Sequence, residues 1–302
     1  MYHTPVLLTE SISGLITCTK GIYVDLTFGG GGHSRALLQQ LAPEGQLFGF
    51  DQDPDAQRNS IADPRFQLVN ANFRHWKRFM QFHNAYPVNG VLADLGVSSY
   101  QFDTPERGFS HRLDGRLDMR MNHSKGITAA DVVNQYSVER LTELFAQYGE
   151  VKQAYRIAQL IEKGREEQPI EESGELKEVL KPILPPGREN KILSQIFQAL
   201  RIEVNEEMDA LKEMLQQTVE GVETGGRIAV ISYHSLEDRL VKNFFRSGNF
   251  EGKIEKDFYG NPITPFKLIT RKAIVPSQEE ISKNNRARSA KLRIVEKIDF
   301  SL

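Results

Sequence analysis

The chain of 302 residues has a single cysteine, Cys18. One thiol excludes an intramolecular disulfide framework and any cysteine-rich zinc or iron–sulfur centre, and it suits the cytoplasm. Long apolar runs are missing as well. No stretch approaches the ~18 uninterrupted apolar residues of a spanning helix, so no membrane segment is expected. The opening residues MYHTPVLLTES lack a basic region followed by an apolar run, and no signal peptide is expected. A G-x-x-x-x-G-K-[ST] loop is absent, which argues against an ATPase. His3, His75 and His83 have no metal-ligand spacing, and no metal is expected. Charge of one sign is not in excess. The formal net charge is −2, from 38 Lys and Arg against 40 Asp and Glu. That balance argues against a non-specific nucleic-acid coat and leaves room for a local basic face.

What is present is an ordinary globular composition, 39% hydrophobic and 26% charged, long enough for one large or two medium domains. The first third alternates strand and helix patterns. Strands are expected over Gly21–Thr27, Gln46–Asp51, Phe66–Ala71 and Val88–Gly96. Helices are expected over Ser34–Leu41 and His75–Phe82, and Pro54 can open another. This alternation predicts a parallel sheet with helices on its faces. From Thr128 to about Gln217 the periodicity is helical, with Ser137 as a helix cap and a break at Pro182–Gly187. Strand grammar returns at Arg227–Ser232. Ser235, with Asp238 three residues on, reads as a capping-box-like helix start. Phe266–Val275 and Ser289–Ile298 alternate like strands and could close the sheet as an antiparallel pair. One α/β domain interrupted by a helical insert follows.

The sharpest local feature is the run Gly29–Gly32 between the first strand and its helix. Glycine there lets backbone approach a ligand closely. Asp51 ends the next strand, where a carboxylate can accept hydrogen bonds from ribose hydroxyls. Asp25, directly before the loop, would repel a pyrophosphate and attract an ammonium group. An adenosine cofactor with an ammonium and no phosphate fits both, which tilts the reading from a nicotinamide dinucleotide to S-adenosyl-L-methionine. Asp94 ends the fourth strand, so Asp25, Asp51 and Asp94 should converge on one sheet edge. Asp94 is a candidate proton acceptor for an amine nucleophile, and equally a candidate cofactor ligand.

Several stretches, taken in order, resemble the bacterial 16S ribosomal RNA (cytosine-N4)-methyltransferase family, the MraW/RsmH proteins. They are His3–Glu10, Val24–Ser34, Asp51–Pro54, Asp94–Ser99, Arg107–Ser110, Leu117–Met121, Phe197–Ile202 with Val204–Glu206, Ser232–Arg239 and Arg286–Ser289. The resemblance implies a class I (Rossmann-like) methyltransferase sheet, residues 1–108 and 206–302, with an inserted all-helical domain, residues 109–205, for substrate recognition. It implies methylation of a cytosine N4 in the decoding centre, near the P site, of 16S rRNA within the small ribosomal subunit. It leaves a homodimer open. It also implies a cofactor shell of Gly31, Gly32, His33, Asp51, Phe73, Asp94 and Gln101, with Phe73 flanking the adenine. Two departures stand out. Asp94-Leu-Gly-Val replaces the Asn/Asp-Pro-Pro-aromatic motif common in amino-methyltransferases, so the catalytic role of Asp94 does not transfer from that larger class. Gln52 stands where a basic residue is common in the family.

Two basic runs are candidates for phosphate contacts. Lys267–Lys297 holds nine basic and three acidic side chains, a local charge of +6. The second comprises Arg107, Arg112, Arg116, Arg120 and Lys125. Other readings are a methyltransferase acting on another nucleic acid or a small amine, and an RNA-binding assembly factor without catalysis.

Overall fold

The computed structural model describes residues 5–260 and 262–299, so His3 and Thr4 of the first quoted stretch lie outside the described residues. The chain divides into two compact units, Met1–Gly96 with Met208–Leu302, and Val97–Glu207.

The first unit is built on a seven-stranded sheet. Its parallel strands are β1 (Ile22–Asp25), β2 (Gln46–Asp51), β3 (Phe66–Asn70), β4 (Val88–Asp94) and β5 (Val222–Ser232). A short antiparallel ribbon, β6 (Glu255–Lys256) with β7 (Pro262–Ile263), stands apart from this sheet. The last two sheet strands are β8 (Phe266–Leu268) and β9 (Lys291–Lys297). The order is β3-β2-β1-β4-β5-β9-β8, with β9 antiparallel to both β5 and β8. The order reverses between β1 and β4, and ligands of open α/β sheets bind beyond the strand ends at such a point.

Strands covered on both faces need apolar residues at successive positions. In β5, Ile228 and Val230 join one apolar cluster, and Ala229 and Ile231 join the other. β4 divides in the same period-two manner, Val91 and Ala93 against Leu92. One face is covered by α1 (Leu8–Leu15) and α2 (Gly32–Gln40), through Ile12, Leu15, Leu37 and Leu38. The other is covered by α3 (Trp76–Phe82) and, later in the chain, α10 (Glu207–Gly221) and α11 (Ser235–Ser247). Trp76 is fully buried there, and its indole N–H donates to the Met214 carbonyl at 3.2 Å. That bond satisfies the ring's one polar atom, so burying it carries no unpaired-donor cost.

The second unit holds α4 (Ser99–Asp103), α5 (Ala129–Gln135), α6 (Val138–Gln147), α7 (Ala154–Glu167), α8 (Ser173–Leu180) and α9 (Glu189–Asn205). Its core is formed by the helical stripes read from the sequence, such as Leu141, Leu144 and Phe145 against Ile157 and Ile161. The expected breaks followed residues 108 and 205. The observed ones follow Gly96 and Glu207, because Val97 and Phe102 pack on the helical core and Arg201 grips Glu207 with two hydrogen bonds of 2.8 and 2.9 Å.

Other expectations shift locally. Pro54 opens a 3₁₀ turn, Pro54–Asn59, rather than an α-helix, capped by Asp53, which accepts from the Asp55 N–H. Only Phe266–Leu268 of the expected Phe266–Val275 strand joins the ladder as a strand. Ile269 and Thr270 both donate to the Ile294 carbonyl, which takes the chain out of register. A final short helix, α12 (Gln278–Lys283), precedes β9. The start of α11 is corrected too. His234, not Ser235, is its cap: the ring Nδ1 accepts from the Glu237 N–H at 3.4 Å, and the Glu237 carboxylate accepts from the His234 N–H at 3.3 Å. Ser235 is already the first helical residue.

Candidate cofactor and active site

The glycine run forms a fixed loop, not a loose turn. The Phe28 N–H donates to the Phe50 carbonyl at 2.9 Å, and the Gly31 N–H to the Phe28 carbonyl at 2.7 Å. Asn59 donates to the Gly29 carbonyl, and Arg35 donates to the Gly30 and Gly31 carbonyls. Gly31 caps α2 with φ +74°, a conformation that side chains other than glycine's rarely adopt. A Cβ at Gly32 would lie 2.2 Å from Pro5 Cγ, so the backbone there has no room for one.

Asp51 closes over this loop. Its Oδ2 accepts from the Gly29 N–H and its Oδ1 from the Asp53 N–H, both at 2.8 Å. Each oxygen keeps a second lone pair, so a ribose diol has acceptors waiting. Burial pushes its pKa up to about 6 against the two N–H donors, which favour the charged form. Asn72, after β3, donates to Gln52 at 2.9 Å and ties together the segments that follow β2 and β3. Phe73 follows directly, half-buried and packed against the sheet's apolar core.

Asp25 plays a different part from that suggested by its position. It is buried, with Oδ2 accepting from the Ser34 hydroxyl at 2.6 Å and Oδ1 from the Thr27 N–H at 3.2 Å. Burial raises its pKa, opposed by the charge of His33 and these donors. It braces the loop against α2 rather than facing outward.

Asp94, at the end of β4, is the most connected group. Its Oδ1 accepts from the Tyr233 hydroxyl at 2.8 Å, and its Oδ2 lies 3.7 Å from His33 Nδ1. Its N–H donates to Thr27 Oγ1 at 2.6 Å. The other ring nitrogen of His33, Nε2, lies 3.1 Å from the Val6 carbonyl, which can only accept. Nε2 therefore carries a hydrogen, and Nδ1 is the nitrogen turned to Asp94. Burial is the main cause that pushes Asp94 up to about 6. The His33 charge and the Tyr233 hydrogen bond pull it down, and the charges of Asp25 and Glu237 push it up. The side chain is still 23% exposed, so the carboxylate can touch a ligand. Tyr233 is held far above the usual phenol range by burial and by the Asp94 charge, and remains a donor.

His33, Asp51, Asp94 and the loop glycines thus belong to one sheet edge. Gln101 is placed in the helical unit, where it forms a capping box with Ser98 and accepts from its N–H at 3.0 Å. Tyr233 and Thr27 were not foreseen. For Tyr233 a signal existed: it follows β5 by one residue, as Asp94 ends the neighbouring β4, with Asp94 in register with Ile231.

The basic runs are less available than their charge suggests. Lys291 and Arg293 both pair with Asp238, Lys283 with Glu279, and Lys267 lies 4.0 Å from Glu296. Arg107 is buried and donates to the Arg120 and Met121 carbonyls, and Arg120 pairs with Asp118.

Residues 1–298 match the sequence profile of the MraW methylase family. The chain belongs to that family. Two of its curated relatives are both named ribosomal RNA small subunit methyltransferase H. One, from Parabacteroides distasonis, is 56% identical over 298 residues, covering 98% of each chain. The other, from Flavobacterium johnsoniae, is 58% identical over 297 residues, again covering 98% of each. As a member of the MraW methylase family the chain is an S-adenosyl-L-methionine-dependent methyltransferase. The residues present fit that cofactor. Asp51 holds the glycine loop through the Gly29 N–H and keeps spare acceptors beside it for a ribose diol.

Proposed function

We propose that this MraW methylase family member methylates the exocyclic N4 amine of a cytosine in the decoding centre, at the P site, of 16S rRNA in the small ribosomal subunit. The small-subunit rRNA is the substrate named for its relatives. The observation that carries the chemical reading is the Asp94 carboxylate, bonded to Tyr233 and facing His33 at the strand ends next to the glycine loop.

Asp51 would bind the ribose hydroxyls of S-adenosyl-L-methionine, Gly31 and Gly32 would offer it backbone, and Phe73 would lie against its adenine. When bound, S-adenosyl-L-methionine supplies an electrophilic methyl on a sulfonium. The N4 amine of cytosine is a poor nucleophile, because its lone pair is delocalised into the ring. Asp94 accepts a hydrogen bond from the amine and favours its pyramidal, nucleophilic form. As nitrogen gains the methyl, with the electron pair of the broken methyl–sulfur bond left on a neutral thioether, it sheds one proton, which Asp94 takes and holds beside His33 Nδ1. A carboxyl with a pKa near 6 is better matched to this task at neutral pH than one near 4. Tyr233 keeps the carboxylate in one orientation.

The helical unit serves substrate recognition in this reading. Arg112, Arg116 and Lys125 on it are exposed and have no ion-pair partner among the described residues. A base within folded rRNA must be flipped or presented by strand opening before it reaches such a site. No helix among the described residues is long and apolar enough to cross a membrane, and the proposed location is the cytoplasm.

The test uses labelled cofactor and small subunits from cells lacking the modification. The expected product is N4-methylcytosine in 16S rRNA. Its absence, with active cofactor binding, would overturn the assignment.

A further inference from the structure

Helix α11 and the edge strand β8 border a surface groove whose lining includes four cations, Lys242, Arg246, Arg271 and Arg293, and no carboxylate among the described residues. Arg293 is committed to Asp238 at 2.8 Å. Lys242 and Arg271 have no acidic partner among the described residues, and Arg246 reaches only the Gly252 carbonyl, at 3.3 Å. Lys242 and Arg246 are four residues apart on one helix face.

The chain that links the two walls of this groove carries the β6–β7 ribbon. It leaves α11 at Ser247 and returns as β8 at Phe266. Its stem is fixed to α11, since Phe250 stacks on Phe244 at 5.0 Å and Asn243 donates to the Phe250 carbonyl at 2.8 Å. One residue beyond β6, past Asp257, Phe258 is 97% exposed and Tyr259 86% exposed, with ring centroids 5.6 Å apart. Two adjacent aromatic rings held fully in water bury nothing in this chain, so folding does not account for them.

A cationic groove whose two walls are joined by a segment carrying open aromatic rings supplies both parts that hold single-stranded nucleic acid. Phosphates follow the charges, and bases stack on the rings without regard to sequence. The start of α11 lies beside Tyr233, and Lys242 and Arg246 lie roughly 10 and 16 Å along the helix from Ser235. We infer that this edge of the sheet unit grips a single-stranded stretch of rRNA flanking the target base, with phosphates at Lys242, Arg246 and Arg271 and bases on Phe258 and Tyr259. The inference rests on the rRNA reading above and specifies where and how that RNA is held.

The test compares the full-length protein with F258A/Y259A and with K242A/R271A. The probes are a short fluorescein-labelled single-stranded RNA and small ribosomal subunits. F258A/Y259A should weaken binding of the oligonucleotide roughly tenfold or more, the cost of losing stacked bases. K242A/R271A should reduce the slope of log affinity against log salt by about 1.4, two lost phosphate contacts on a single strand. Melting temperature and cofactor affinity should stay at the wild-type values in both, which separates lost contact from lost fold. The inference is overturned if either variant, folded, binds the RNA as the wild type does. It is also overturned if the variants lose binding to phosphatidylglycerol vesicles and keep their RNA affinity, since the face would then be a membrane contact. Wild-type methylation of subunits with unchanged RNA affinity in the variants removes this surface and leaves the substrate reading intact. The opposite result, no methylation of subunits but weakened oligonucleotide binding in both variants, removes the substrate reading and supports the surface.

Discussion

The Tyr233 hydroxyl donates to Asp94 Oδ1 across 2.8 Å and joins the ends of two neighbouring parallel strands, β4 and β5. A donor to a carboxylate favours its ionised form. Removing it in Tyr233→Phe should raise the Asp94 pKa above its value of about 6. The acid limb of kcat/KM should move to higher pH, and a rise of about one pKa unit gives a loss approaching tenfold well below pH 6 and only about twofold near pH 7. A pH–rate profile that matches the wild type would remove Tyr233 from the mechanism.

Asp94→Asn separates binding from proton transfer. The amide is the same size but cannot take a proton as the carboxylate does. Turnover should fall by roughly 10²–10⁴-fold, while calorimetry finds cofactor affinity close to wild type. Equal losses in both measurements would make Asp94 a cofactor ligand alone.

Asp51→Ala should weaken cofactor binding by at least roughly 10–100-fold, the cost of losing one charge-assisted hydrogen bond worth about 1.5–3 kcal/mol. It also frees the Gly29 N–H from its partner, so some loosening of the loop is expected. Calorimetry with unchanged affinity would take Asp51 out of the cofactor shell.

Asp51 and Asp94 make the cofactor-free protein's stability fall as pH rises. Both are pushed up to about 6 from an ordinary 3.8, so between these values the folded state binds more protons than the unfolded state. Unfolding free energy therefore decreases from about pH 4 to just above pH 6 and levels off beyond. Denaturant midpoints measured across that window should show the decline. Asp51→Asn and Asp94→Asn should each flatten it, and a decline that persists unchanged in the double variant would have another source.

The cap of α11 gives a test of local structure. His234→Ala should destabilise the fold by about 1 kcal/mol, in the usual range for a lost N-cap. Ser235→Ala should cost less than His234→Ala, since Ser235 is exposed and already the first helical residue. Thermal melts that rank the two variants the other way would return the cap to Ser235.

The strands around the site were legible because a sheet buried on both faces demands short apolar runs. Gln46–Asp51 has its expected bounds to the last residue for that reason. Helix α1 has no such signal. Its eight residues show few apolar positions, and its burial depends on β5 and β9, far away in the chain. The Phe266–Val275 segment alternates throughout, yet only its first three residues are strand. Alternation cannot reveal that two successive N–H groups turn to a single carbonyl.

By itself the sequence determined the α/β alternation, the glycine loop, the placement of Asp51 and Asp94 at strand ends and the family. These depend on local periodicity and on residues adjacent in the chain. Tertiary structure decided which charges remain available. Arg107 is spent on carbonyls and Arg293 on Asp238, while Lys242 and Arg271 have no acidic partner among the described residues. It also decided that Asp25 faces inward and that Tyr233, 139 residues from Asp94, is its hydrogen-bond donor. The reason is that pairing and burial depend on distance in space, and a linear pattern carries no measure of that distance between remote residues.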